Sequence, residues 1–294
     1  MENFCAIIRR NFPDINIQSI QVLGEGRMSI AFLVNEQWVF RFPKNKEAGK
    51  DLEKEIKMMP KLAEQITIAI PRFQYVGKQD NGLPFVGYKM LPGELLGEEE
   101  FPSLPITEQR LIASQIAKFM KELGAFPVDN ARQLGVPEVD LCKKFTNLFE
   151  QVKEIVFPFI EPDIRKYVTS RFQMYFNRLD NFNYSPALIH ADLSPDHYVI
   201  DPKERNLTGI IDFGDLQITD PDYEYTYIFE DCGEDIACYV MQLRGVDDIE
   251  RKLKKVSFFV TASHLATVLE GIEREEQTLI DEGLKSIRLE MEKR

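Results

Sequence analysis

The stretch LIHADLSPDHYVID, residues 188–201, holds two of the three histidines in the chain, His190 and His197. Asp192 lies between them, and short apolar runs lie at both ends. A second stretch, GIIDFGD at residues 209–215, follows after the polar segment PKERNLT. Because that polar segment is typical of a hairpin connection, we predict that YVID and GIIDF pair as antiparallel strands.

The predicted pairing gathers three polar side chains at one cleft. His197 begins the first strand and Asp212 ends the second, so antiparallel pairing brings them together, and Asp192 lies just before the first strand. A carboxylate with an imidazole suits a divalent cation, and a second carboxylate suits a base that orients a hydroxyl. This combination is the plan of phosphoryl transfer. Alone, Asp212 is also typical of a turn, and His190 is predicted to be a core histidine bonded to the backbone.

The two motifs resemble the catalytic and metal-binding loops of the aminoglycoside phosphotransferases, which are relatives of the protein kinases. The chain is most similar to the 2''-phosphotransferases, which have H-x-D-F-S-x-x-H, then I-D-F-G-D, then D-P-D. Here the match continues to Asp220, Pro221 and Asp222. His197 stands where the kinase loop has asparagine, as it does in the 2'' group. By this resemblance Asp192 orients the acceptor hydroxyl and accepts its proton, and His197 and Asp212 hold magnesium.

The pattern along the chain predicts an α+β, two-lobed fold, and the resemblance makes it protein-kinase-like. Residues 1–91 are expected to form a small β-rich nucleotide-binding lobe, and residues 92–294 a larger, mainly helical catalytic lobe, with PGE at 92–94 as the boundary. In the first lobe, strands are predicted around 30–34 and 38–42 with NEQ as their turn, and a helix that Pro60 ends. In the second, Thr107 is the predicted N-cap of a helix, and the tail from about 247 is helical.

The first lobe holds the groups expected to bind the nucleotide phosphates. In LGEGRMS, Gly24, Gly26 and Ser29 are predicted to form the turn over the phosphates. WVFR stands where kinases have V-A-I-K, so Arg41 takes the place of the lysine. A guanidinium is bulkier and forks its donors, and Lys44 is left as an alternative cation.

One face of the helix that follows is predicted to hold Arg41 in place. Glu55 lies on the apolar stripe, so it is expected to face inward and to pair with Arg41. The other charged residues of this segment, Glu53, Lys54 and Lys57, are expected to point outward.

The segment PFVGYKMLPGE is typical of a hinge between the two lobes. A nucleobase is expected to bond the backbone near Lys89–Leu91. Tyr88 would lie at the back of the base pocket, where its bulk disfavours adenine and leaves guanine viable. In the 2'' group this position is linked to the choice between ATP and GTP, which the sequence leaves open, as it does the alternative that Tyr88 is a plain core residue.

An acidic run follows GIIDFGD and is expected to line the acceptor cleft. Carboxylates select ammonium groups through charge-assisted hydrogen bonds. By resemblance, the best candidates for acceptor binding are Asp215, Glu230 and Glu234. In the helical tail, where the 2'' enzymes have an aromatic residue, this chain offers His264, Glu270 and Glu273.

Composition limits the possible partners. The net charge of −12 argues against nucleic acid and is compatible with a cationic small molecule. The four cysteines form no CxxC pair and are expected to be reduced. We find no signal peptide and no membrane-spanning stretch, so a cytoplasmic monomer is expected.

The sequence therefore predicts a magnesium-dependent enzyme that moves the γ-phosphate of ATP or GTP to a hydroxyl, the 2''-OH, of an aminoglycoside antibiotic and so confers resistance. Two alternatives stay open. One is a kinase of a macrolide, an amino alcohol or a sugar. The other, motivated by Arg41, is a catalytically silent nucleotide-binding relative.

Overall fold

A twisted antiparallel sheet forms the first part of the chain. The computed structural model describes residues 2–97 and 99–293. The sheet has five strands in the order β1-β2-β3-β5-β4. Its elements are α1 (Glu2–Asn11), β1 (Ile20–Glu25), β2 (Ser29–Val34), β3 (Trp38–Pro43), α2 (Lys46–Leu62), β4 (Phe73–Lys78) and β5 (Pro84–Lys89).

The predicted hairpin is confirmed, and strand alternation sorts its side chains onto two faces. Val34 pairs with Trp38 across a turn in which Asn35 and Glu36 have φ of 53° and 55°. Phe40 and Phe42 pack on one face in an aromatic core. That face is covered by α1, which was not predicted and whose Ile7 and Ile8 are buried there, while Val39 faces α2 on the other side.

The helix α2 does not end at the predicted residue. Its N-cap Asn45 accepts a hydrogen bond from the amide of Ala48 at 2.9 Å. Pro60 lies inside the helix, which continues to Leu62, and the Ala63 amide still donates to the carbonyl of Met59 at 2.9 Å. The predicted stop at Pro60 is wrong because a proline in the last turn removes a single intrahelical donor, while buried residues on both sides keep the helix packed.

The second part of the chain is mainly helical, as predicted. Its elements are β6 (Glu94–Leu95), α3 (Ile106–Gly124), α4 (Val128–Gln133), α5 (Leu141–Gln151), α6 (Pro162–Phe176), β7 (Ala187–Ile189), β8 (Tyr198–Ile200), β9 (Leu207–Ile210), β10 (Gln217–Thr219), α7 (Thr226–Asp231), α8 (Glu234–Leu243), α9 (Ile249–Arg274) and α10 (Gln277–Glu292). A π-helical turn, Val152–Val156, extends α5. Thr107 is not the N-cap of α3, because the carbonyl of Pro105 already accepts the amides of Glu108 and Gln109.

Two small sheets hold the motifs. The strands β8 and β9 pair antiparallel, with Tyr198 opposite Ile210, as predicted from the hairpin between them. β6 pairs with the other edge of β8, and β7 pairs with β10. The helices α3, α5, α6 and α9 supply much of the large core beneath these sheets.

The predicted boundary at residues 91–92 lies in the connection between β5 and β6. Gly93 has φ of 129°, and a Cβ there would collide with the carbonyl of Ile200. Only glycine is comfortable at this bend. Among the residues that the structure describes, no helix has the length and apolarity needed to cross a membrane.

Candidate active site

Two cavities meet between the five-stranded sheet and the helical part. The first, of about 230 Å³, lies under the glycine-containing turn and is lined by Gly26, Ser29, Arg41 and Asp212 among others. The second, of about 630 Å³, opens toward the helices and is lined by Phe145, Tyr223 and Tyr227 among others. Three residues line both cavities: Arg27, Asp192 and Asp215.

The loop that presents Asp192 is fixed by buried hydrogen bonds. His190 is fully buried, and its Nε2–H donates to the carbonyl of Ile211 at 3.1 Å, as predicted for a core histidine. Burial lowers the pKa of His190 to about 3, so its ring is neutral. Ala191 has φ of 70°, a strained conformation for a residue with a side chain.

Glu224 holds this loop, although the sequence did not single it out. Its two carboxylate oxygens accept the amides of His190 and Ala191 at 3.0 and 2.9 Å. Glu224 is 4% exposed, and burial raises its pKa to about 7. The only signal was its place in DPDYEY, two residues after the acidic pair of the family motif.

Asp192, His197 and Asp212 come together as the hairpin predicted. His197 Nδ1 lies 2.8 Å from the Asp192 backbone carbonyl and 3.6 Å from Asp192 Oδ2. Because a carbonyl only accepts, the proton lies on Nδ1, and Nε2 lies 3.7 Å from Asp212 Oδ2. Asp212 has φ of 61°, so the turn it occupies aims its carboxylate at the cleft.

The two aspartates differ in charge state. Burial, with the charges of Asp215 and Asp212, raises the pKa of Asp192 to about 6, although His197 opposes the shift. Burial also acts on Asp212, but Arg41 and His197 outweigh it and keep the pKa of Asp212 below its ordinary value. Asp212 is therefore a fixed negative charge, whereas Asp192 can take up a proton near neutral pH.

Arg41 faces the cleft from β3. Its guanidinium pairs with Glu55 of α2, and Nη1 lies 3.3 Å from Asp212 Oδ1. Burial opposes the charge on Arg41, but Glu55 and Asp212 outweigh burial and hold its pKa above the ordinary value. The guanidinium thus links the sheet, α2 and the motif after β9.

The turn above Arg41 is tied by a lysine. The Gly26 amide donates to the Ser29 carbonyl at 3.0 Å, and Gly24 lies in β1 just before the turn. Lys44 Nζ donates to the Gly26 carbonyl at 2.7 Å, so Lys44 braces the turn and is not placed beside Arg41.

Lys54 is buried, so the prediction that it points outward is wrong. Its exposed fraction is 7%. Its Nζ donates to the carbonyls of Gly214 and Leu216, the latter at 3.1 Å. The long aliphatic stem lets the ammonium reach from α2 to the loop after Asp212, where unpaired carbonyls bind it. Glu53 and Lys57 are exposed, as expected.

The predicted hinge residues follow β5. Tyr88 is 8% exposed, and its ring centroid lies 5.8 Å from that of Phe73. Burial raises the pKa of Tyr88 to about 12. The Lys89 amide donates to Gln74 Oε1 at 3.3 Å and the Met90 amide to the Gln37 carbonyl at 2.8 Å.

The carboxylates predicted to bind the acceptor lie in different places. Asp215 lines both cavities, and burial together with Asp212 raises its pKa. Glu230 accepts a hydrogen bond from His264 at 2.6 Å, and Glu234 is exposed at the start of α8. Neither of these two is among the described residues that line the larger cavity.

The remaining predicted residues of the motif and the tail have structural partners or face solvent. Lys255 of α9 pairs with Asp220 and lies 3.0 Å from Asp222 Oδ2, so the D-P-D motif anchors that helix. Glu270 pairs with Arg27 across the cleft, and Glu273 is exposed.

This geometry defines a nucleotide-dependent phosphotransferase of kinase-like fold, and the comparisons agree. A family model described as phosphotransferase enzyme family matches residues 19–254. A GDP complex of wild-type aminoglycoside 2'-phosphotransferase-IIIa is 44% identical, covers 98% of this chain and 97% of its own, and superposes with a TM-score of 0.95. The chain belongs to the aminoglycoside phosphotransferase family.

Two further solved structures are similar. The GDP and kanamycin complex of APH(2'')-IIIa is 43% identical, covers 100% of this chain and 99% of its own, and has a TM-score of 0.97. The gentamicin complex of APH(2'')-IIa is 22% identical, covers 98% and 95%, and has a TM-score of 0.78. At that lower identity the second structure shows the shared fold alone. Together they confirm the two-part, kinase-like α+β fold predicted from the sequence.

Proposed function

We propose that this enzyme transfers the γ-phosphate of a nucleoside triphosphate to a hydroxyl of an aminoglycoside, the 2''-OH, and so confers resistance. One observation carries the proposal: Asp192 lies where the phosphate-side cavity meets the larger cavity. A base at that junction can contact a hydroxyl on one side while the phosphate lies on the other.

Each residue of the junction has a distinct task in this proposal. Asp192 orients the acceptor hydroxyl and accepts its proton as the oxygen attacks the γ-phosphorus, and the nucleoside diphosphate leaves as its bond to that phosphorus breaks. Arg41, held by Glu55, steadies the α- and β-phosphates, and the turn of Gly24, Gly26 and Ser29 closes over them. Asp192 forms no covalent bond to the phosphate in this proposal, so the rate depends on how the reacting groups are positioned.

The residues present fit magnesium. His197 Nε2 and Asp212 Oδ2 face each other 3.7 Å apart, so an imidazole nitrogen and a carboxylate oxygen would hold a cation placed between them. Among the described residues no group of three or more His, Cys, Asp or Glu side chains is arranged to hold a metal, so phosphate oxygens and water would complete the set. When bound, magnesium supplies positive charge that neutralises the phosphates.

The nucleotide donor is inferred from the hinge. Because the amides of Lys89 and Met90 are engaged, a base would use the Lys89 carbonyl and the Leu91 backbone. Buried Tyr88 narrows the space behind the base, and the IIIa enzyme, which is 43–44% identical to this chain, was solved with GDP. We therefore infer that GTP is accepted, with ATP as the alternative donor.

The lining of the larger cavity carries groups of both charges, which bear on a polycationic acceptor in opposite ways. Asp192 and Asp215 supply carboxylates to this cavity, where they can bind ammonium groups. Glu230 and Glu234 lie outside its lining, so their part in acceptor binding stays a prediction. Arg27 and Lys144 bring positive charge to the same cavity. That observation favours the second candidate function, phosphorylation of a less charged hydroxyl compound such as a macrolide or a sugar.

We further infer that the lobes meet at residues 91–92, that the enzyme acts as a cytoplasmic monomer, and that it binds no nucleic acid. The net charge of −12 supports the last point, since phosphate backbones are repelled.

Steady-state turnover with a matrix of donors and acceptors tests the function. ATP and GTP are each combined with kanamycin, gentamicin and an uncharged macrolide, with magnesium present. The proposal expects turnover with the first two acceptors and none with the third. Turnover with the macrolide alone would replace it with the second candidate function, and nucleotide binding without turnover would indicate a silent relative.

A further inference from the structure

His264 of α9 is held at both ring nitrogens by carboxylates from two other helices. Nε2 lies 2.6 Å from Glu230 Oε1 of α7, and Nδ1 lies 2.6 Å from Glu290 Oε1 of α10. Carboxylates only accept, so both nitrogens must donate, and the ring is an imidazolium. The side chain of His264 is 12% exposed, which shields these bonds from water.

Glu290 has further partners that keep the cluster in place. Its Oε2 accepts from the hydroxyl of Thr261 at 2.6 Å and from that of Tyr167, on α6, at 2.9 Å. Four helices, α6, α7, α9 and α10, therefore converge on one bridge, which we call the His264 bridge and define as Glu230, His264 and Glu290.

The bridge lies directly behind one wall of the larger cavity. Tyr227 and Ser263 both line that wall. Glu230 lies three residues after Tyr227 on α7, one helical turn along, and His264 directly follows Ser263 on α9. A change in the spacing of α7 and α9 at the bridge is therefore passed to the wall.

We propose that His264 is a positioning residue for acceptor binding: by bridging Glu230 to Glu290 it fixes the α7–α9 wall of the acceptor cavity. This rests on the proposed function. It also redefines Glu230, whose charge is balanced by the imidazolium and which acts on the acceptor through the wall.

The protonation of His264 follows from its surroundings. Burial disfavours the charged ring, but its bonds to Glu230 and Glu290 outweigh burial and raise the pKa of His264 to about 9. Among the described residues, the groups that face His264 directly are Glu230 from α7 and Glu290 from α10. Around them, Tyr167 from α6 and Thr261 from α9 bond Glu290, Arg171 from α6 donates to Thr261, and Tyr227 of α7 lies near the charge of Glu230. The bridge is thus intact at neutral pH and opens as pH rises through that value.

The first test compares His264→Gln and Glu290→Gln with Glu282→Gln, an exposed carboxylate on the same helix. Losing one charge-assisted bond should raise the kanamycin KM, and the Kd from calorimetry, about tenfold. The kcat and the nucleotide KM should change less than about twofold, since the phosphate side is untouched. Glu282→Gln should behave as the wild type.

The second test needs no turnover. With three histidines in the chain, the imidazole carbon-bound protons can be followed individually by NMR. The His264 signal should give a pKa of about 9 in the wild type. In Glu290→Gln this pKa should fall toward the ordinary value for histidine.

Three outcomes distinguish between the His264 bridge, its positioning role and the proposed function. A His264 midpoint at the ordinary value in the wild type overturns the bridge. An unchanged kanamycin Kd in both bridge variants overturns the positioning role while leaving the proposed function intact. Wild-type protein that neither binds nor phosphorylates any aminoglycoside overturns the proposed function and, with it, this inference.

Discussion

Asp192 is kept ready to accept a proton by burial and by neighbouring carboxylates. Its pKa of about 6 places the change of charge just below neutral pH. An ordinary aspartate, with a pKa near ~3.9, would be a weaker base at the same pH. The neighbours that raise this pKa are the same residues that line the junction, so the tuning comes with the site.

We expect kcat/KM to depend on pH through this group. Below pH 6 Asp192 is protonated and cannot accept the hydroxyl proton, so kcat/KM should rise through about pH 6 and then level off. In Asp215→Asn a like charge is lost, so the midpoint should move lower. A profile measured from pH 5 to 8 checks both. A wild-type kcat/KM that is already level across this range would contradict the assignment, because an ordinary aspartate is ionised throughout it.

The metal pair gives a second residue-level prediction. His197→Ala and Asp212→Ala should each raise the magnesium concentration needed for half-maximal turnover. The aspartate change should be the more severe, because it removes a charge and also frees Arg41. Magnesium titrations with the exposed-site variant Asp235→Ala as control measure this. Unaltered magnesium dependence in His197→Ala would make the histidine purely structural.

At the scale of residues, the contacts that strand pairing creates could be predicted from the sequence. Contacts between residues far apart in the chain could not. The hairpin of β8 and β9 brings His197 to Asp212, so pairing alone predicted their meeting. Glu224 acts on amides more than thirty residues earlier in the chain, and Lys54 reaches a loop 160 residues away. Nothing in a local pattern encodes such contacts, because they depend on how the helices pack.

At the scale of elements, α2 joins the sheet to the motif loop. Glu55 holds Arg41, and Lys54, one residue earlier, binds the carbonyls of Gly214 and Leu216. Glu55 and Lys54 of α2 therefore both help to set the distance between Arg41 and the loop that carries Asp212. Replacing either Glu55 or Lys54 should therefore weaken nucleotide binding on the far side of the cleft.

Lys54→Met tests this connection. Removing the charged donor that the Gly214 and Leu216 carbonyls share should lower the free energy of unfolding by about 1.5–3 kcal/mol. Nucleotide KM should also rise, because the loop that carries Asp212 loosens. Chemical denaturation and steady-state kinetics give the two values, with the exposed Lys57→Met on the same helix as control. Equal stability of the two variants would show that Lys54 does not brace the loop.

Element existence followed from periodicity, and element ends did not. The alternation in WVFR and the apolar stripe of α2 predicted the strand, the helix and their facing sides. The stop at Pro60 and the cap at Thr107 were wrong because packing and a neighbouring carbonyl decided those ends. The helix α1 was missed, since its amphipathic pattern is short and its burial depends on the aromatic face of the sheet.

At the scale of the whole molecule, the net charge of the chain differs in sign balance from the lining of the larger cavity. The chain carries −12, yet the larger cavity has both carboxylates and the cations Arg27 and Lys144. Long-range attraction of a polycation therefore comes from the whole surface, whereas the cavity lining sets its orientation.

We expect the acceptor KM to rise with ionic strength. Exposed attractions are screened over a Debye length of ~10 Å at 0.1 M salt, so kanamycin should bind more weakly as salt increases. An uncharged acceptor should show no such trend and serves as the control. A kanamycin KM that stays constant between low and high salt would argue against carboxylate recognition of the acceptor.

Phosphorylation of kanamycin by wild-type enzyme and by Asp192→Asn tests the central claim most directly. With GTP and magnesium, mass spectrometry should show the wild type adding one phosphate to the antibiotic. The variant should lose at least ~10²-fold in kcat while nucleotide affinity changes little, since the base is removed and the phosphate cradle is intact. No phosphorylated product from the wild type, or near-normal turnover by the variant, would contradict the account.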